Sequence, residues 1–203
     1  MAIRINGVDR DSTLREKSSF VHGTYHMADN TNLYEPQRTN DFEFVVTDLE
    51  GLVGIGTENT IPNAQEILRL AVMSTNIPHF TQDPISIRRG NGVLKFAGVP
   101  SFGDGSITVQ DWIGADTKKI LMSWQDLSYN VRTQKVGLAS DYKKDAYLVE
   151  YTPDKQVVRR WRLFGCWISG ISESTYDRNG SNANMMNVTI QYDNAEVDTT
   201  DID

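Results

Sequence analysis

Residues 142–167, YKKDAYLVEYTPDKQVVRRWRLFGCW, decide how the rest of the chain is read. Two runs rich in β-branched and aromatic residues, 146–151 (AYLVEY) and 156–164 (QVVRRWRLF), flank TPDK, whose Pro-Asp pair suits a tight turn. Alternation in the second run puts Val157, Arg159, Trp161 and Leu163 on one face, with Val158, Arg160, Arg162 and Phe164 on the other. The stretch therefore predicts an antiparallel hairpin.

Working outward, the same grammar recurs. Residues 41–48 (DFEFVVTD) alternate, with Phe42, Phe44 and Val46 opposed to Glu43, Val45 and Thr47, and 186–192 (MNVTIQY) set Met186, Val188, Ile190 and Tyr192 against Asn187, Thr189 and Gln191. Shorter runs at 85–89, 93–96 and 106–112 are separated by glycine-rich turns, and 66–74 (EILRLAVMS), closed by Pro78, reads as a further strand. Residues 50–63 hold three glycines and a proline and predict a loop.

One segment departs from period two. Over 116–130 (DTKKILMSWQDLSYN), Ile120, Trp124 and Leu127, with Leu121 and Ser128 alongside, recur at helical spacing behind Asp116 as N-cap. Position 119 is Lys, so no capping box completes the start. The expected fold is mainly β: a two-sheet antiparallel β-sandwich or barrel with one flanking α-helix at about 116–130. The domain is placed at 41–193, between an extended N-terminal arm (1–40) and an acidic C-terminal tail (194–203).

Composition narrows the function. The 203 residues carry a net charge of −7, which argues against a nucleic-acid grip built on clustered cations. The last eleven, 193–203, hold five acids and no base, and are expected to form a solvated end. No apolar run is long enough to span a membrane, and MAIRINGVDRD has no secretory signal pattern, so synthesis and action in the cytosol are expected. The arm is polar throughout, and its scattered Phe20, Tyr25 and Tyr34 mark it as a segment that docks on a neighbouring surface.

Reactive chemistry is sparse. His22 and His26 stand four apart with Asp29 nearby, but Gly23 intervenes and no third nitrogen or sulfur ligand follows, so a surface loop fits better than a metal site. His79 lacks a nucleophile partner, and neither a nucleophile elbow, a zinc-protease helix motif nor a phosphate loop occurs. Asp104, Asp111, Asp141 and Asp145 sit near turns, where aspartate commonly binds backbone. The lone Cys166 falls in the apolar run LFGCWISGI and reads as a small core hydrophobe. Trp112, Trp124, Trp161 and Trp167 are all expected to pack in the core. The basic cluster Arg159, Arg160 and Arg162 reads as one strand's solvated faces, able to pair with acids on a neighbour. No residue is assigned to catalysis, cofactor binding or a metal.

From Ser106 onward the order of features resembles the tail tube proteins of contractile-tailed bacteriophages, which are related to injection-system tube proteins. SITVQDW resembles the strand entering that family's helix and MSWQDLSYN the helix itself. In the following hairpin Tyr142, Lys143, Lys144, Gly165 and Trp167 match the pattern, and Tyr192-Asp193 resembles the close of its last strand. The resemblance covers 41–193 and is most specific over 106–167; the arm, the loop at 50–63 and an insertion at 177–184 depart from it.

The resemblance implies a structural subunit, not an enzyme. Six copies would ring a lumen, and rings would stack into the inner tube of a phage tail. That tube would conduct DNA into the host, partnered by sheath, baseplate, tail-terminator and tape measure proteins. The location would be the virion, after assembly in the host cytoplasm. If 41–48 and 186–192 line the lumen, Glu43, Thr47, Asn187, Thr189 and Gln191 point into it, giving a neutral to acidic wall that DNA does not stick to. Phe20, Tyr25 and Tyr34 would anchor the arm between subunits. A contractile injection-system tube, a baseplate tube initiator and a monomeric β-sandwich binding module are the alternatives.

Overall fold

The computed structural model describes residues 37–198, apart from 57, 77, 174 and 175, and the backbone of 4–5 and 8–9. Phe20, Tyr25, Tyr34, His22, His26 and Asp29, to which the sequence assigns arm contacts or weighs a metal role, lie outside the described residues. The chain divides into two compact units, Met1–Thr39 and Asn40–Asp203. In the first, β1 (Arg4–Ile5) pairs antiparallel with β2 (Val8–Asp9).

The second unit opens with β3 (Phe42–Val46), then α1 (Ala64–Ala71) running into β4 (Val72–Thr75). A long excursion follows: β5 (Phe80–Gln82), β6 (Ile85–Arg89), β7 (Gly92–Phe96) and β8 (Pro100–Phe102). Next come β9 (Gly105–Gln110), α2 (Thr117–Ser128), β10 (Tyr129–Asn130), β11 (Lys135–Val136) and α3 (Ala139–Tyr142). The chain closes with β12 (Lys144–Tyr151), β13 (Val157–Glu173), β14 (Met185–Gln191) and β15 (Asn194–Asp198).

The expected hairpin is β12 and β13, turned through TPDK, where Thr152 N donates to Gln156 O at 2.8 Å and Lys155 takes a left-handed φ of 67°. β13 does not stop at Phe164. It runs 17 residues and serves two sheets. Residues up to Cys166 pair with β12, and 160–164 also pair with β15; 167–173 pair instead with β14. One antiparallel sheet is thus β3-β12-β13-β15 and the other β13-β14-β9-β4, joined through the shared strand and not closed into a barrel.

Both sheets bury one face in a single core. Phe44, Val46, Ala146, Leu148 and Leu163 come from the first, while Ile107, Val109, Ile168, Met186, Val188 and Ile190 come from the second. Period two enforces this division, because a buried face recruits every second residue. Cys166 is fully buried there, as the apolar run predicts.

α2 forms where the helical spacing predicts it. Asp116 caps it, its carboxylate accepting from Lys119 N at 3.1 Å, and Ile120, Leu121 and Trp124 are buried against the core with Leu127 partly so. Trp124 Nε1 donates to Tyr142 O at 2.9 Å, satisfying the one polar atom of a ring that is 1% exposed.

Four expectations need correction. Residues 64–71 are helical, so the strand read over 66–74 survives only as β4. The buried positions Ala64, Leu68 and Ala71 recur at four and three, and Leu70 stays exposed, a helical stripe hidden in an almost continuous apolar run. The single flanking helix therefore has company in α1 and the four-residue α3. Trp112 lies beyond the end of β9 and is 43% exposed, so it is not a core ring. Finally, 194–198 is not a solvated end: β15 pairs with β13, and Arg160 holds Asp198 at 2.7 Å. Alternating Ala195 and Val197 inside an acidic run supply the strand period.

Candidate functional site: assembly surfaces

The two sheets turn chemically different faces away from the core. Outward from the first project Glu43, Asp145, Arg160 and Arg162, with Tyr147 and Phe164 between them. Each charge here is matched. Arg162 bonds Asp145 at 2.9 Å and lies over the Phe164 ring at 4.5 Å, and Tyr147 lies under Arg160. The hydrogen bond to Asp145 raises the Arg162 pKa above its ordinary value. Arg159 faces Glu150 at 3.7 Å on the opposite side, so the basic cluster pairs with acids within its own chain.

The outward face of the second sheet has no charge at its centre. Ser106 and Thr108 on β9 stand opposite Thr189 and Asn187 on β14, with Ser172 of β13 beside Asn187. Thr108 Oγ1 donates to Asn187 Oδ1 at 3.0 Å and Ser169 Oγ to the carbonyl of Thr189 at 3.2 Å. Strand alternation makes the face flat, and short hydroxyl and amide side chains make it neutral.

The five residues read as lumen-facing divide between these faces. Asn187, Thr189 and Gln191 share the neutral one. Glu43 and Thr47 lie on the charged one, and both are engaged. Glu43 takes Arg69 of α1 at 3.4 Å and the Tyr151 hydroxyl at 3.1 Å, while Thr47 Oγ1 donates to Asp145 O at 2.9 Å. Burial, then the neighbouring Glu43 carboxylate, push the Tyr151 pKa up.

The residues that carry the family resemblance meet at the bend of β13. Gly165 has a φ of 65°, a conformation that favours glycine, and Lys143 Nζ holds both Asp193 oxygens at 2.8 and 2.7 Å directly above it. Tyr142 and Trp167 stack edge to face at 5.9 Å on the same corner. Asp193 N donates to Phe164 O at 2.9 Å, so β14 and β15 bend with β13.

The sequence pattern reveals strands at β6 and β7 but not that they stand away from the body. Residues 79–97 are all exposed, apolar ones included. The GNG turn with apolar residues at matched distances on either side is the signal for a hairpin, yet nothing local says whether a core awaits it.

The remaining candidates have structural work. Asp111 Oδ1 accepts from Lys118 N at 3.3 Å, Asp141 from Ser140, and His79 lies exposed beside Gly103. Burial first, then the charges of Asp145 and Asp193, push the Cys166 thiol up to about 12, which suppresses the reactive thiolate. Among the described residues no cluster of His, Cys, Asp and Glu converges on a metal position, and no helix is long and apolar enough to cross a membrane.

The sequence matches no protein-family model and no curated protein. The fold, however, is similar to solved tube-type structures. The anti-feeding prophage cap, a tube-terminating cap, aligns at TM-score 0.59 with 15% identity over 85% of this chain and 97% of that one. The sheath-tube complex of PVC, an extracellular contractile injection system, aligns at 0.58 with 16% identity over 86% and 97%. A chain of the six-fold symmetrised anti-feeding prophage baseplate aligns at 0.57 with 10% identity over 83% and 99%. The chain has the tube and cap fold of contractile injection systems.

Proposed function

We propose that this chain is a structural subunit that closes into six-membered rings and stacks as the inner tube, or tube end, of a contractile device. The observation that carries this is the fold match across nearly the whole length of the cap and sheath-tube neighbours. Two features of the chain support it. Strands β3, β15 and β4 leave sheet edges with unused backbone groups among the described residues, and joining edges between copies is one way to satisfy them. The neutral face bearing Asn187, Thr189 and Gln191 suits a channel wall, because it offers a passing cargo neither ion pairs nor an apolar surface. Glu43 and Thr47, on the other side of the shared core, belong to a surface outside that channel.

The prophage and PVC neighbours favour an injection-system tube, with sheath and baseplate proteins as partners. A phage tail tube conducting DNA, with tape measure and terminator proteins, is the second reading, favoured by the motif resemblance over 106–167. In either case Phe20, Tyr25 and Tyr34 are proposed as anchors of the arm on a neighbouring subunit, and no cofactor is required. Electron microscopy of the purified protein tests the reading. Tubes or six-fold rings are the expected result, and a dispersed monomer at all concentrations overturns it.

A further inference from the structure

The loop joining β13 to β14 carries chemistry that its packing does not require. Among the described residues two asparagines precede a glycine, Asn91 and Asn179. Such a pair can react with itself. The glycine has no β-carbon to shield its backbone nitrogen, which can reach the amide carbon of the preceding side chain. That nitrogen must lose its proton before it attacks, so the firmness with which each glycine N–H is held decides between the two sites.

Asn91 sits in the two-residue turn between β6 and β7, after Gly90 at a φ of 61°. Gly92 is the ladder partner of Arg89 and closes a register of five consecutive pairs. Its N–H belongs to the strand ladder and is freed only when the hairpin opens. Asn179 has no ladder around it. It lies in the turn Asp177–Gly180, outside any strand, and residues 176–183 are all exposed. Gly180 N reaches Asp177 O at 3.3 Å, just beyond the usual range for such a bond. Asn179 N donates to Asp177 Oδ1 at 3.0 Å, and among the described residues no hydrogen bond restrains its side-chain amide. The next asparagines along differ. Asn184 Nδ2 donates to the Tyr176 hydroxyl at 3.4 Å, Asn187 Oδ1 accepts from Thr108 at 3.0 Å, and neither precedes a glycine.

We propose that Asn179 is a site of spontaneous deamidation in the folded protein and that Asn91 is not. Gly180 N, losing its proton to water, attacks Asn179 Cγ. The bond from that carbon to the side-chain nitrogen breaks, ammonia leaves, and a cyclic imide remains. Water then adds to either imide carbonyl and opens the ring to aspartate or to isoaspartate. One water is taken up and one ammonia released, with no change of oxidation state. Either product adds a negative charge beside Asp177, at the end of a sheet whose outward face is neutral at its centre. Isoaspartate also lengthens the backbone by one carbon, which the Asp177–Gly180 turn cannot absorb unchanged. The reaction requires neither a second copy nor a tube.

Incubation of the full chain at mildly alkaline pH, followed by tryptic digestion and mass spectrometry, tests the site. The same incubation in guanidinium chloride, where no fold protects either glycine, supplies the reference. The expected result is that the peptide carrying Asn179 gains the mass of an amide-to-acid exchange in folded and unfolded chain alike. The peptide carrying Asn91 should gain it only in the unfolded chain. Gly180→Ala should remove most of the gain and leave the fold intact, since a β-carbon there meets nothing closer than 3.8 Å and no left-handed φ is required. An unchanged Asn179 peptide in the folded chain overturns the proposal, and so does Asn91 converting as fast as Asn179 in the folded chain. A gain undiminished by Gly180→Ala overturns it as well, by placing the reaction at Asn182, Asn184, Asn187 or Asn194.

Discussion

The carboxylate of Asp193 occupies the space that a β-carbon on Gly165 would need, and Lys143 pins it there through both oxygens. The contact ties the bend of β13 to the bend between β14 and β15. At this corner the one long strand leaves the first sheet and enters the second.

Gly165→Ala should therefore destabilise the fold for two reasons. A left-handed φ costs a non-glycine residue about 1–2 kcal/mol, and the new methyl must displace the Asp193 carboxylate from Lys143. We expect a loss of about 2–3 kcal/mol in urea unfolding. Adding Asp193→Ala should recover the steric part and leave the backbone part. A neutral single variant would show that the bend is not strained against glycine's replacement.

Trp124 separates packing from hydrogen bonding at α2. Trp124→Ala should cost about 3–5 kcal/mol, since the ring is buried in the core and its removal leaves a cavity. Trp124→Phe keeps most of the ring but strands the Tyr142 carbonyl, and should cost roughly 1–3 kcal/mol. A thermal midpoint unmoved by the alanine variant would mean that α2 is not docked.

Cys166 makes stability fall at high pH. Its thiol titrates at about 12 in the fold against an ordinary 9.0, so the folded state holds the proton more tightly. Below pH 9 both states are protonated and the contribution is fully present. Between there and 12 the unfolded thiol ionises alone, and stability drops by up to about 1.4 kcal/mol per pH unit. Tyr151 and Tyr192, raised mainly by burial, add the same sign from their ordinary 10.0 upward. Urea midpoints measured from pH 8 to 11 should fall less steeply for Cys166→Ala than for wild type. Parallel profiles would exclude the thiol as a cause.

Thr189 tests the channel wall. It is half-buried in the neutral face of β14, opposite Ser106. In assembled tubes, Thr189→Cys should react with a small thiol reagent and resist one too bulky to enter. Equal labelling by both would put this face on the outside of the tube.

Local rules sufficed wherever one face of an element is buried and the other is wet. The alternation at 41–48, 146–151 and 186–192, and the helical stripe at 120, 124 and 127, were legible because burial on one side imposes the element's own period on the chain. The same logic placed Cys166 in the core, whereas the pairing of Arg159, Arg160 and Arg162 with Glu150, Asp198 and Asp145 follows from which strands lie alongside and was not legible. It misled at 64–71, where an apolar run with little contrast hides the helical period, and at 194–198, where net acidity masked the alternating apolar positions Ala195 and Val197 of a strand. Other features belong only to the tertiary structure. That β13 serves two sheets shows only in its registers with β12, β15 and β14, and the corner where it changes sheet is where Lys143 and Asp193, 50 residues apart, meet over Gly165. Glu43 and Thr47 part from Asn187, Thr189 and Gln191 because period two says which residues share a face of a strand, never which sheet that strand joins. For the same reason the apolar residues of β6 and β7 read like any core strand, though they stand in solvent. Alternation records that a face needs covering; only the packing of distant segments decides whether the cover lies within the same chain.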